Sequence, residues 1–339
     1  MTGSDGSVAM YEFRSAVVFY GGVSLAIYEN GVARAFYDAV KRRGVFGPLL
    51  DALDTRFVVD VISGTSAGGI NGLMLAATLE SRYDFGDTAE LWRTAGGIER
   101  LLRPADGGRA ESLLDGEGYY YAELRKVFND ICQQRTLDDE SPKEIDVFVT
   151  GTDMSGQRWS FVDGLKSEVE TRRHNLVFHL KHRRGRKWLG VVRSAIGPRS
   201  AKDEALLQAD VLASVARITS SFPGAFRPFT AGDLTWQRQT RSAPAVLEGA
   251  EGILDQSLEA LSSSRLRGSD AETAHPLVDG GVLDNKPFGP VLRSIFHRMP
   301  SPSGELVRRT VFFVEPDPEK AMRRTRAPAP IQVAIQSAL

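Results

Sequence analysis

The chain has 339 residues, with 42 Lys+Arg against 43 Asp+Glu and a formal net charge of −1. Hydrophobic residues at 42% and charged residues at 25% exclude a disordered chain, and the balanced charge argues against a nucleic-acid binder. The single cysteine, Cys132, excludes an intramolecular disulfide and any Cys₂His₂ or Cys₄ zinc site, and a reducing compartment is the simplest reading.

Residues 1–7 are small and polar with no Lys or Arg, so no secretory leader is expected there. Residues 16–20 form a short apolar run ending at Gly21-Gly22, which reads as a buried strand and a tight turn. From 23 to 40, Ile27, Val32, Ala35, Phe36 and Ala39 recur at helical spacing. Residues 56–62 predict a second buried strand, 63–69 a turn and 70–80 a helix. The uncharged run 61–79 is broken by Ser63, Gly64, Thr65, Ser66, Gly68, Gly69, Asn71 and Gly72, so it does not read as a membrane span. Residues 145–150 predict a third strand. A basic cluster at 181–187 reads as a solvated loop, with attraction to anionic headgroups as the alternative. A helix is expected over 204–219, a Pro/Gly/Phe turn over 220–229 and a last buried strand over 310–314. Strands alternating with helices predict one α/β domain over 1–339, a three-layer α/β/α arrangement with a central, mostly parallel sheet. Irregular insertions are expected near 164–203 and 235–274.

The sharpest chemical signal is Gly64-Thr65-Ser66-Ala67-Gly68, a G-x-S-x-G with an apolar strand before it and a small-residue helix after it. A serine at such a turn projects its hydroxyl above the sheet edge, beside the free N–H groups of a helix N-terminus. A phosphate-binding βα turn is the plainer alternative. An activated serine needs a base. Among the five histidines, His174, His179 and His182 lie in or beside the basic segment, read as exposed, and His275 and His297 sit in no clear strand-end motif. Asp279, after the apolar pair Leu277-Val278 and before Gly280-Gly281, is the better candidate, against the reading of a simple Asp-Gly turn. Gly21-Gly22 offers backbone N–H donors for a developing oxyanion. It matches neither a dinucleotide-binding fingerprint nor a P-loop.

Together these pieces resemble the patatin-like phospholipases, which have an N-terminal glycine-rich oxyanion loop, then G-x-S-x-G, then a downstream D-G-G/A. The resemblance spans roughly 14–316 and includes Thr219-Ser220-Ser221-Phe222-Pro223-Gly224-Ala225-Phe226. The stretch Gly21-Gly22-Val23-Ser24-Leu25-Ala26-Ile27-Tyr28 resembles a bacterial patatin-related subgroup. The resemblance implies a Ser–Asp dyad of Ser66 and Asp279. It also implies oxyanion donors on the backbone of Gly21, Gly22, Val23 and Ala67, supported by Gly64, Gly68, Gly280 and Gly281. The usual loop reads G-G-G-x-[RK]-G. Here Tyr20, Gly21, Gly22, Val23, Ser24 and Leu25 lack its first glycine, its basic residue and its last glycine. Larger patatin-related proteins continue into a helical C-terminal region, which this chain is expected to lack or to have lost as a fragment.

The expected reaction is hydrolysis of a phospholipid or other fatty-acyl ester through an acyl-enzyme, with no cofactor, metal or nucleic acid. A cytoplasmic protein with at most peripheral membrane contact is expected. An apolar wall for the acyl chain could come from Ile70, Leu73, Met74 and Leu75, or from Phe222, Phe226 and Phe229, each of which also reads as plain core. Two rival readings stay open: an α/β-hydrolase triad of Ser66, Asp279 and His297, and a non-catalytic lipid-binding module that keeps the fold.

Overall fold

The apolar run at 16–20 is the buried end of a longer strand, β1 (Tyr11–Phe19), in a computed structural model that describes residues 11–22, 26–103, 112–136, 141–183, 201–230, 275–298 and 306–315. After β1 come α1 (Ala26–Val40), α2 (Phe46–Ala52), β2 (Thr55–Gly64), α3 (Ser66–Thr78) and the single turn α4 (Ile98–Leu101). They are followed by α5 (Tyr121–Gln133), β3 (Glu144–Val162), β4 (Glu168–Arg183), α6 (Ala201–Thr219), β5 (Leu277–Asp279), α7 (Phe288–Phe296) and β6 (Leu306–Val314).

The strands form one sheet in the order β4-β3-β2-β1-β6, with β5 added against β3. β6, β1, β2 and β3 run parallel, while β4 and β5 pair antiparallel with β3. The result is a three-layer α/β/α architecture around a mixed, mostly parallel sheet. Alternation along β1 divides the core between the two faces. Val17 and Phe19 join Tyr37, Ile70, Met74, Phe128 and Leu212 under α1, α3, α5 and α6. Ala16, Val18 and Tyr20 join Val61, Phe148 and Val291 under α7. α3 lies in the middle of the first layer, and all of its residues are buried, which is why its sequence is apolar or small on every side.

The last strand, read as buried, is an edge strand of the described sheet, with Phe312 37% and Phe313 58% exposed, and two further features differ from the sequence reading. The third strand does not stop at 150; it runs on to Val162 and folds back as β4, so residues 168–183 of the expected irregular insertion are regular strand. Leu176, Phe178 and Leu180 point into the first core at period two, but apolar Val177 between them and the charged residues on either side of the run hide the pattern. In the outer half of the hairpin, Arg173 stacks over the Trp159 ring at 3.9 Å. The second difference is His182, which is 1% exposed rather than part of a solvated loop. Its Nδ1 lies 2.8 Å from Glu80. Burial drives both groups toward neutrality, the histidine down to about 4 and the glutamate up to about 9. The rest of the basic cluster, 184–187, and the insertion at 235–274 lie outside the described residues.

Asp60, fully buried in β2, accepts a bidentate pair from Arg309 at 2.8 and 2.7 Å and a further bond from Arg298 at 3.0 Å. Among the described residues, no helix is long and apolar enough to cross a membrane.

Candidate active site

In an open parallel sheet, ligands meet the carboxyl ends of the strands, and the ends of β1, β2 and β5 meet in this structure. β2 ends at Gly64, Thr65 is extended (φ −134°, ψ 141°), and Ser66 opens α3 with φ +53°. A side chain at positive φ costs roughly 1–2 kcal/mol, so the turn is held by its surroundings rather than by local preference. The flanking glycines are steric requirements. A Cβ on Gly64 would lie 2.5 Å from the Gly68 carbonyl oxygen, and one on Gly68 would lie 2.4 Å from that of Tyr20. The Ser66 N–H donates to Thr219 Oγ1 at 2.8 Å, anchoring the turn to the end of α6.

Asp279 ends a three-residue strand whose backbone is gripped from two sides. Its residue pairs with Gly151 of β3, and its N–H donates to the Ser221 carbonyl at 3.0 Å. The carboxylate accepts the Gly281 N–H at 2.7 Å. Burial pushes this carboxyl up to about 6, against the lowering effect of that N–H and of the nearby Ser66 side chain. Gly280 is confined as well, since a Cβ there would fall 2.1 Å from Thr150 Oγ1. Ser66 and Asp279, 5% and 3% exposed, are therefore brought into the same buried neighbourhood from positions more than two hundred residues apart.

The profile of the patatin-like phospholipases matches residues 17–292. The chain belongs to the patatin-like phospholipase family. It is also 28% identical over 354 residues to an uncharacterized membrane protein of Mycobacterium tuberculosis, an alignment covering 95% of this chain and 29% of that protein. The chain thus spans under a third of the length of that relative.

Within this family member, the loop after β1 is held by a residue that sequence reasoning missed. Asn285 Oδ1 accepts the Gly21 N–H at 3.0 Å, and its Nδ2 donates back to the Gly21 carbonyl at 3.3 Å. The Gly21 N–H is thereby occupied, and Gly21 itself permits the approach, since a Cβ would collide with Asn285 Oδ1 at 2.2 Å. Gly22 and Ala67 are buried, and among the described residues their N–H groups meet no acceptor. Val23 lies outside the described residues. Thr65 and Thr150 were missed too: their hydroxyls meet at 2.6 Å, and the Thr65 hydroxyl also donates to the Asp284 carbonyl at 2.9 Å, tying the Ser66 turn to the Asp279 loop. Nothing local in the sequence marks these contacts.

No described histidine reaches the pair. His174 meets the Asp153 carbonyl, His275 the Asp153 carboxylate, His179 Asp146 and His182 Glu80. His297 caps the far end of α7, exposed, with Nδ1 on the Arg293 carbonyl at 2.9 Å. Of the apolar side chains considered for an acyl wall, Ile70, Leu73, Met74, Leu75, Phe226 and Phe229 belong to the main core, and Phe222 is half-buried.

Proposed function

We propose that this chain is a lipid acyl hydrolase of the phospholipase A or lysophospholipase type, working through a Ser66–Asp279 dyad. The observation that carries the reading is the juxtaposition: a serine at positive φ on a helix N-terminus, near a buried carboxyl whose affinity for protons burial has raised. Asp279 takes the Ser66 proton as Oγ bonds to the acyl carbonyl carbon. The negative charge moves to the carbonyl oxygen, toward the N–H groups of Gly22 and Ala67, which meet no acceptor among the described residues. Collapse of this intermediate expels the alcohol, which takes the proton from Asp279. Water then attacks the acyl-serine with Asp279 again as base, and the fatty acid leaves. A carboxyl near 6 is well suited to accept a proton at neutral pH and return it.

The partners of the five histidines argue against a triad. The bacterial patatin-related subgroup is favoured by the stretch from Gly21 to Tyr28 and by the mycobacterial relative. The test is turnover of p-nitrophenyl esters. Ser66→Ala is expected to abolish it with little change in the thermal transition, and His297→Ala to retain most of it. Loss at His297 equal to that at Ser66 would move the mechanism to a triad. Turnover retained by purified Ser66→Ala would end the proposal.

A further inference from the structure

A groove of about 1520 Å³ runs between β4 and α7 on the second face of the sheet, from Arg298 and Asp146 to Leu283 and Asp284. Its walls are strongly basic for a reason of register. Odd-numbered residues of β4 share one face, and Val177, which packs in the second core, fixes that face as the one toward α7. His179, Lys181 and Arg183 therefore line up along the groove, opposite Arg293 of α7, with Arg172 and Arg173 at one end.

The cations divide into two groups. Arg183 and Arg298 are neutralised by Asp146, Glu144 and Asp60. Arg172, Arg173, Lys181 and Arg293 are exposed, and none has a carboxylate partner among the described residues. Arg172 donates to the Ser155 carbonyl and Arg173 stacks on Trp159, so both guanidinium groups are positioned without being neutralised. Leu283, 53% exposed, lines the groove, and α7, which forms one wall, carries the exposed side chains of Phe296, at 82%, and Leu292, at 42%. Unneutralised cations next to exposed apolar side chains match the chemistry of a bilayer surface, anionic phosphates above and hydrocarbon below.

We infer that this groove and its apolar rim form a docking surface for an anionic phospholipid bilayer, with Arg172, Arg173, Lys181 and Arg293 taking the lipid phosphates. Leu283 and Asp284 belong to the loop that follows Asp279, so docking here brings the candidate active site to the lipid. The inference deepens the hydrolase reading by naming where the lipid surface is met, but binding does not require hydrolysis.

The test is cosedimentation of the Ser66→Ala protein with vesicles of phosphatidylcholine alone or with about one third phosphatidylglycerol, near 0.1 M salt, where charges act over ~10 Å. Binding is expected only to the anionic vesicles and is expected to weaken at higher salt. Each of Arg172→Gln, Arg173→Gln, Lys181→Gln and Arg293→Gln should weaken it about five-fold, the change corresponding to ~1 kcal/mol per basic residue at such a surface. Arg100→Gln, on the opposite helical layer, should leave it unchanged. Circular dichroism melts confirm that each variant is folded. Absence of anionic-vesicle binding, or full binding by the folded quadruple variant, would overturn the inference. So would binding of inorganic pyrophosphate through the same four residues without vesicle binding, which would make the groove a site for a soluble phosphate compound. Vesicle binding with no ester turnover by the unmodified protein would leave the docking surface standing and count against the hydrolase alone.

Discussion

Asp279 and Asp146 belong to the same sheet and are equally enclosed, each 3% exposed, yet their proton affinities move in opposite directions. Asp146 in β3 accepts bonds from Arg183 at both oxygens, from Arg298 and from His179, and its carboxyl is held down to about 2. Asp279 receives one backbone N–H and has the Ser66 side chain nearby, and burial lifts it to about 6. Burial alone does not decide a carboxylate's state; the donors that accompany it do. Cationic donors keep Asp146 ionised near neutral pH, a strut between β3, β4 and the end of α7. The scarcity of donors leaves Asp279 able to exchange a proton near neutral pH.

The largest expected effect breaks the first member of this pair. Asp279→Asn keeps the shape and the acceptor for Gly281 but removes the base, so ester turnover should fall by roughly 10²–10⁴-fold. Its stability should move the other way. A carboxyl raised from 3.8 to about 6 in the folded state contributes stability that is fully present below pH 4 and lost as pH rises through 6, about 3 kcal/mol in all. Asp279→Asn should therefore melt higher than the parent at pH 8, with the difference shrinking toward pH 4. A lower melting temperature at pH 8 would mean that Asp279 is a structural acid like Asp146. In the parent, turnover should rise about tenfold per pH unit up to pH 6 and then level off, the behaviour of a single base that must be ionised.

Asp146→Asn sharpens the contrast from the other side. It removes the carboxylate that Arg183 and Arg298 share, but Arg298 keeps Asp60 and Glu144 and Arg183 keeps Glu144, so the cost should fall below the ~3–5 kcal/mol of a fully broken buried pair. Because the carboxyl is lowered from 3.8 to about 2, the stability it supplies is present above pH 4 and fades as pH falls through 2. Thermal melts should show a large loss at pH 7 and a smaller one at the most acid pH the fold tolerates. An equal loss at every pH would assign the effect to packing rather than charge.

A smaller effect is expected at Asn285, which acts only through the Gly21 backbone. Asn285→Ala removes both side-chain bonds to the loop after β1 and should lower kcat about tenfold, less than the roughly 10²–10³-fold expected for losing an oxyanion donor outright. KM for a short soluble ester should stay nearly constant. A change confined to KM would place Asn285 in substrate binding instead.

These roles differ in how far the sequence alone reveals them. The Ser66 turn, the Asp279 turn and the first two strands are written in contiguous residues: apolar runs that end in glycines whose missing side chains the structure requires. Thr150, Thr219 and Asn285 act across separations of 85, 153 and 264 residues, and no local pattern announces such partners. β4 was hidden for another reason. Charged residues crowd both ends of the strand, apolar Val177 breaks the alternation, and only Leu176, Phe178 and Leu180 report the buried face. His182 sits in the same basic run, and its burial depends on Glu80, a neighbour the sequence does not reveal.

The most direct measurement is intact-protein and peptide mass spectrometry after reaction with a fluorophosphonate, which bonds to an activated serine. The account predicts one adduct, located on Ser66, at a rate that rises with pH through about 6, falls steeply in Asp279→Asn and is retained in His297→Ala. No adduct on the folded parent protein, or an adduct on another serine that persists in Ser66→Ala, would contradict the assignment of Ser66 as a nucleophile activated by Asp279.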